Sequence, residues 1–258
     1  MAATAAAPRG DLMRYSDAEA LARGAASWLL THVLASVSAG RQRPAVCLAG
    51  GSTPRRLYEI LASPDVAPRF PWDRVHWFWG DERFVPHDHP DSNYRMVRAA
   101  LLSRAPIPEA NVHPVPAGVA GLSPDDAAAE YERTLKQFYG AGTLDPARPL
   151  FDATLLGLGE DGHTASLLPG EPVLKERTHW VAAVAHGRPE VRITLTYPAL
   201  ESSRNIAFLV AGAAKRSVLA RARAGDPALP ATHVRAAAGG RLHWLADKAA
   251  AATEAEAP

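Results

Sequence analysis

Short unbroken apolar runs alternate along this chain with longer stretches whose apolar residues recur at helical spacing. Leu21, Ala25, Trp28, Leu29 and Val33 share one face of a helix that Gly40 ends, and Ser16-Asp17-Ala18-Glu19 reads as its capping box, with Ser16 at the N-cap. Residues 45–49 read as a buried strand. Leu57, Tyr58 and Leu61 then mark a helix that Thr53 can cap and whose first turn suits Pro54. After Pro71, residues 74–79 read as an aromatic-rich strand, and Met96, Val97, Ala100 and Leu101 as the stripe of a helix capped within Asp91-Ser92-Asn93. Residues 104–122 are rich in proline, with a strand-like segment at 112–115. Ser123-Pro124-Asp125-Asp126 then opens a helix bearing Ala128, Tyr131, Leu135 and Phe138, which Gly140 closes.

The second half continues the alternation. Strands are expected at 153–158, 180–184, 191–196, 205–210 and 242–245. A helical turn fits 198–202, a helix with Lys215 in its first turn follows Gly212, and Pro230 opens a last short helix. Residues 1–10 and 249–258 read as tails. No internal repeat or linker divides the chain, so one domain over residues 1–258 is expected, with an ordered core at about 11–248. Its class is α/β: three layers, a mostly parallel sheet with helices on both faces.

Three of the strands end in polar turns. Gly50-Gly51-Ser52-Thr53-Pro54 joins a glycine pair and two hydroxyls to a helix start, where free amides suit an anion. It lacks the Gly-Lys-Ser/Thr of a P-loop and the Gly-x-Gly-x-x-Gly of a dinucleotide fold; a well-capped strand–helix turn is the alternative to an anion site. Gly80-Asp81-Glu82-Arg83 places three ionisable residues in a row at a strand end. The third turn, Gly159-Glu160-Asp161-Gly162-His163-Thr164-Ala165-Ser166, brings Asp161 and His163 together after the central strand. Parallel packing would set all three along one edge of the sheet, where ligands of open α/β folds bind.

Composition narrows the classes. With 28 Lys and Arg against 27 Asp and Glu, the formal charge of +1 offers no general attraction to nucleic acid or anionic membrane. A single cysteine, Cys47, excludes an internal disulfide or a cysteine metal cluster, and reads as a small core residue. His87 and His89 lie in a polar loop with no evident third ligand, so no metal is expected. The first fifteen residues do not read as a secretory signal and no run has membrane-spanning length, so a cytoplasmic protein is expected.

Together, the segments Gly50 through Pro54, Gly80 through Arg83, Ser92-Asn93-Tyr94, Gly157 through Thr164, Arg192-Ile193-Thr194-Leu195-Thr196 and Gly212 through Lys215 resemble the 6-phosphogluconolactonase family. The wider superfamily includes glucosamine-6-phosphate isomerases/deaminases, so the resemblance implies a modified Rossmann-like, glucosamine-6-phosphate isomerase-like fold. Leu158, Glu160 and Leu168 stand where Met, Pro and Phe are more usual. The isomerases resemble Gly-His-Ile-Ala-Phe-Asn-Glu-Pro after the histidine, whereas this chain has His163-Thr164-Ala165-Ser166-Leu167-Leu168-Pro169, with a leucine in place of the glutamate. A leucine cannot relay a proton, which favours hydrolysis over isomerisation.

The resemblance implies hydrolysis of 6-phosphoglucono-1,5-lactone in the oxidative pentose phosphate pathway, without cofactor or covalent intermediate. A reactive δ-lactone needs only a general base and stabilisation of the oxyanion. The catalytic candidates are His163 as base, Asp161 beside it, Arg83 for negative charge, and Asp81 or Glu82 to orient Arg83. Gly50, Gly51, Ser52 and Thr53, with Lys215 and Arg192, are the candidates for the phosphate. Ser166 lies outside any Gly-x-Ser-x-Gly and reads as a cap or turn residue. A sugar-phosphate isomerase/deaminase and a non-catalytic sugar-phosphate-binding protein are the alternatives. The expected partner is the small-molecule lactone, with no nucleic acid or membrane, in a monomer or weak homodimer.

Overall fold

The computed structural model describes residues 10–252. Seven strands form one wholly parallel sheet: β1 (Asp11–Tyr15), β2 (Ala45–Leu48), β3 (His76–Trp79), β5 (Val112–His113), β6 (Phe151–Gly157), β9 (Ser203–Val210) and β10 (Arg241–Asp247). Their spatial order is β1-β10-β9-β6-β2-β3-β5. From β2 the chain moves outward through β3 to β5, then returns to β6 and runs the other way through β9 and β10. The order therefore reverses between β2 and β6, where a crevice opens at the strands' carboxyl ends. Ala45 through Leu48 and Ala153 through Leu156 are all buried, as strands covered on both faces must be.

The helices are α1 (Ala18–Ser38), α2 (Ser52–Leu61), α3 (Asn93–Val97), α4 (Pro124–Tyr139), α5 (Tyr197–Glu201), α6 (Arg216–Ala224) and α7 (Lys248–Ala251). Two of them clamp the strand ends at the crevice. Tyr58 of α2 accepts from the Ala49 amide at 3.0 Å and donates to the Ala49 carbonyl at 2.8 Å. Tyr131 of α4 does the same at Trp79, at 2.7 Å and 3.0 Å. Both tyrosines are fully buried, so their hydroxyls satisfy backbone groups that the glycine turns leave without ladder partners.

A second, antiparallel sheet was not legible in the sequence. It has the order β4 (Asp81–Arg83), β8 (Arg192–Leu195), β7 (Val181–Val184). The segment read as a polar turn, Asp81 to Arg83, is thus a short strand that pairs Arg83 with Arg192 across the ladder. Glu82 makes this possible. Its carboxylate, only 1% exposed, accepts from the amides of Arg83, Asn93 and Tyr94 and from Ser92 Oγ.

Other boundaries shift for local reasons. Asp17, not Ser16, caps α1: its carboxylate accepts from the Ala20 amide at 2.8 Å, while the Ser16 hydroxyl donates to it. An ionised acceptor outcompetes a hydroxyl for that amide. Gly51 rather than Thr53 stands at the N-cap of α2, without a side-chain bond, because its φ of 108° already turns the chain into the helix. Lys215 ends a 3-10 turn just before α6 instead of lying in its first turn. Strand β1 pairs with β10 at the sheet edge, and α7 occupies the start of what read as a C-terminal tail; residues 1–9 and 253–258 of the two tails lie outside the described residues.

Candidate active site

At the crevice, a cavity of about 220 Å³ is lined by the ends of β2, β3 and β6 together with β4, β8 and Lys215. It collects most of the sequence candidates: Gly50, Gly51, Asp81, Arg83, His163, Arg192 and Lys215 all line it. Ser52 and Thr53 do not; they begin α2 beside the glycine pair, with Ser52 exposed and Thr53 partly so. Asp161 sits behind His163 instead of lining the cavity itself.

The loop after β6 holds the histidine from several sides. The Gly159 amide donates to the His163 carbonyl at 2.9 Å, and the Ala231 amide donates to the Gly162 carbonyl at 3.0 Å. Gly162 takes a φ of 82° with Leu229 packed where a Cβ would be, so only glycine fits. Ala165 is the one described residue other than glycine with positive φ, at 48°, and it lines the cavity. Such a conformation is held by its surroundings. The Ser166 amide donates to Thr194 Oγ1 at 3.1 Å on one side of it.

His163 Nδ1 lies 2.5 Å from Asp161 Oδ1, and its backbone amide donates to the same oxygen at 3.1 Å. Burial pushes the Asp161 carboxyl upward, but the hydrogen bonds and charge of His163 and Arg188 outweigh it and hold the group at about 2. The carboxylate is therefore ionised at neutral pH and accepts a hydrogen bond from Nδ1–H, which leaves Nε2 as the ring nitrogen able to accept a proton. Sequence reasoning missed Arg188. Its Nη2 lies 3.0 Å from Asp161 Oδ2, and no local pattern in its loop marks it.

The cationic side of the cavity is under strain of another kind. The Nε atoms of Arg83 and Arg192 are buried without a hydrogen-bond partner, although both residues line the cavity. Burial and then the charge of Arg83 hold Arg192 below its ordinary range. Two neighbouring guanidinium groups with unused donors form a place that an anion would stabilise. Lys215 adds a third cation, paired only loosely with Glu160 at 3.8 Å. Neither Asp81 nor Glu82 orients the Arg83 guanidinium, contrary to expectation: that group donates to the Asp91 carbonyl. Asp81 instead accepts from Ser166 Oγ at 2.7 Å, and its carbonyl accepts from Asn93 Nδ2 at 2.9 Å. A Cβ on Gly50 would fall 2.0 Å from Asn93 Oδ1, so that glycine admits a side chain the sequence marked only as a helix cap and a family motif.

Residues 16–244 match the sequence model of a family described as glucosamine-6-phosphate isomerases/6-phosphogluconolactonase. The chain belongs to this family. Within the isomerase/6-phosphogluconolactonase family, it is 43% identical over 217 residues to a 6-phosphogluconolactonase of Synechocystis sp., covering 82% of this chain and 85% of that one. It is 36% identical over 242 residues to a 6-phosphogluconolactonase of Mycobacterium leprae, covering 92% and 96%. Its fold superposes on the crystal structure of 6-phosphogluconolactonase from Thermotoga maritima with a TM-score of 0.75 and 31% identity, over 92% of this chain and 99% of that chain. The architecture expected from the alternating elements is the family's: a mostly parallel sheet flanked by helices.

His87 and His89 lie apart from this cavity; His87 Nε2 contacts the Val115 carbonyl at 2.8 Å. Among the described residues, no three His, Cys, Asp or Glu side chains group to hold a metal. No helix among them is long and apolar enough to cross a membrane.

Proposed function

We propose that this protein hydrolyses 6-phospho-D-glucono-1,5-lactone to 6-phospho-D-gluconate, the second step of the oxidative pentose phosphate pathway, in the cytoplasm. The observation that carries the reading is the Asp161–His163 contact of 2.5 Å, set in a cavity wall that also holds Arg83, Arg192 and Lys215. That combination pairs one oriented base with a surplus of positive charge, which is what a phosphorylated ester requires.

In this reading Asp161 fixes the imidazole, and Nε2 of His163 takes a proton from the water that attacks C1 of the lactone. Negative charge then develops on the former carbonyl oxygen, and Arg83 stabilises it. The ring oxygen departs and is protonated as the ester bond breaks, with the imidazolium returning the proton. Arg192, Lys215 and the free amides after Gly50 and Gly51 hold the 6-phosphate; Ser52 and Thr53 add hydroxyls at the helix start. Leu168, only 4% exposed, offers no second proton-transfer group for ring opening, which sets the isomerase reading aside.

The test is direct turnover of freshly prepared 6-phosphogluconolactone beside unphosphorylated gluconolactone, with the spontaneous rates subtracted. The phosphorylated substrate should have a kcat/KM higher by orders of magnitude. Equal efficiencies would remove the phosphate site from the scheme, and no turnover above background would remove the activity.

A further inference from the structure

We propose that Arg188 is a positioning residue for the catalytic pair, one that holds the Asp161 carboxylate in place while limiting how far that carboxylate favours a protonated His163. The proposal rests on the reading of His163 as the base.

Arg188 lies on the loop between β7 and β8, which follows Gly187 with its φ of 78° and brings the side chain over the turn after β6. Its Nη2 is 3.0 Å from Asp161 Oδ2 and 3.2 Å from His163 Nδ1. That same Nδ1 is 2.5 Å from Asp161 Oδ1. One ring nitrogen cannot donate to a carboxylate and accept from a guanidinium at once. The shorter contact, to an ionised oxygen, fixes the proton on Nδ1. The Arg188 hydrogen therefore goes to Oδ2, and its charge stands against the ring without a hydrogen bond to it.

The two neighbours then act on the imidazole in opposite directions. An adjacent carboxylate favours the imidazolium, and an adjacent guanidinium disfavours it. A histidine paired with a carboxylate alone would be oriented well but would lose its basic form at a higher pH. With Arg188 on the second oxygen, Asp161 keeps its orienting bond while part of its charge is offset. Arg83 and Arg192, from β4 and β8, and Lys215, from the turn before α6, line the same cavity as the ring. Asp81 lines it from the start of β4, and Glu160, next to Asp161 in the chain, pairs with Lys215. All of these remain when Arg188 is changed, so a shift on its removal reports Arg188 and the carboxylate it holds.

The experiment compares wild type with Arg188→Gln and Arg188→Lys in two measurements. The first is kcat/KM for 6-phosphogluconolactone between pH 5 and 9. The second, without substrate, is the nitrogen-15 NMR titration of the His163 ring. Arg188→Gln should move the acid limb of the activity profile upward by about 0.5–1 pH unit and the ring titration by the same amount, the size expected for losing one partly screened neighbouring charge. Arg188→Lys should return most of both shifts. An unmoved ring titration in a folded Arg188→Gln protein would overturn the proposal. So would a rise in KM confined to the phosphorylated substrate with both pH curves unmoved, since that pattern belongs to a phosphate contact. A wild-type activity profile with no acid limb, beside a ring titration that still shifts, would sink the reading of His163 as base while supporting the electrostatic role of Arg188.

Discussion

Ser166 Oγ donates to Asp81 Oδ2 at 2.7 Å, joining the loop after β6 to the first residue of β4. Ser166 is 1% exposed, so this hydroxyl is a strut between the two segments that carry His163 and Arg83. Its proton is committed to a carboxylate, and no imidazole contacts it. Ser166→Ala is expected to cost about 1.5–3 kcal/mol of stability, the range for a buried hydrogen bond to a charged group. It should lower kcat/KM no more than about tenfold. Urea unfolding and initial rates check both. A folded Ser166→Ala protein that had lost about 10⁴-fold in kcat would mark the serine as a nucleophile instead.

Gly159 is required by space, not by backbone conformation. Its φ lies outside the left-handed region, yet a Cβ there would fall 2.0 Å from His163 Nδ1 and 2.5 Å from Asp161 Oδ1. Gly157, two residues earlier, has nothing within 4 Å of the same position. Gly159→Ala should therefore push the ring off Asp161 and lower kcat by roughly 10²-fold or more, the scale of a misplaced catalytic group. Gly157→Ala clashes with no protein atom but adds a methyl to the cavity that Gly157 lines, so it should raise KM while kcat stays within about threefold of wild type. Equal losses in the two variants would show that the turn tolerates neither side chain for some general reason.

These sites show what the chain disclosed in advance. The apolar runs at 45–49, 74–79 and 153–158 announced three buried strands, observed at Ala45–Leu48, His76–Trp79 and Phe151–Gly157, and glycine with polar residues at their ends announced the turns. Their convergence followed from parallel pairing. The second sheet did not announce itself, because Asp81 to Arg83 carries no apolar alternation. Glu82 is buried through four hydrogen bonds that come from residues ten or more positions away or from its own neighbour, which no local pattern encodes. Strand β1 was missed for the opposite reason: at an edge, Asp11 to Tyr15 keeps no residue fully buried. Arg188 reaches Asp161 from 27 residues away, so its part in the site depends on the packing of β7 and β8.

The amino end of the sheet carries a pH dependence unrelated to catalysis. His76 Nδ1 lies 2.9 Å from His113 Nε2, and Arg43 Nε donates to His76 Nε2 at 3.2 Å. Burial, then the Arg43 charge, lowers both rings to about 4, with His113 adding to the effect on His76. The unfolded chain takes up these protons near pH 6.5, whereas the folded one resists until about 4. Stability contributed by the neutral rings is thus complete above pH 6.5, declines as pH falls, and stops declining near 4. The slope should be on the order of 1–2 kcal/mol per pH unit from the pair. His113→Asn should flatten it, measured as urea unfolding free energy at pH 7.5, 5.5 and 4.5. An unchanged slope would assign the acid loss to carboxylates.

The proposed mechanism depends most on His163, whose ring contacts Asp161 and whose side chain is about a quarter exposed, at 27%. With Nδ1 engaged, only Nε2 can take the proton from water, so kcat/KM should rise with pH through one ionisation of the free enzyme. Asp161 contributes no second inflection in that range, because its carboxyl is held at about 2 and is ionised throughout. His163→Asn keeps a polar side chain but removes the base, and should lower kcat by roughly 10²–10⁴-fold. Affinity for 6-phosphogluconate should change little, since Arg83, Arg192 and Lys215 are untouched. The thermal midpoint should change only modestly. The bond to Asp161 is two-fifths exposed on the acidic side, and solvent screening limits such a contact to about 1 kcal/mol or less. Measured together, these three quantities separate a catalytic role from a structural one. A folded His163→Asn protein with normal product affinity and more than about a third of the wild-type kcat would exclude this histidine as the base, because a lost general base costs at least about 10²-fold.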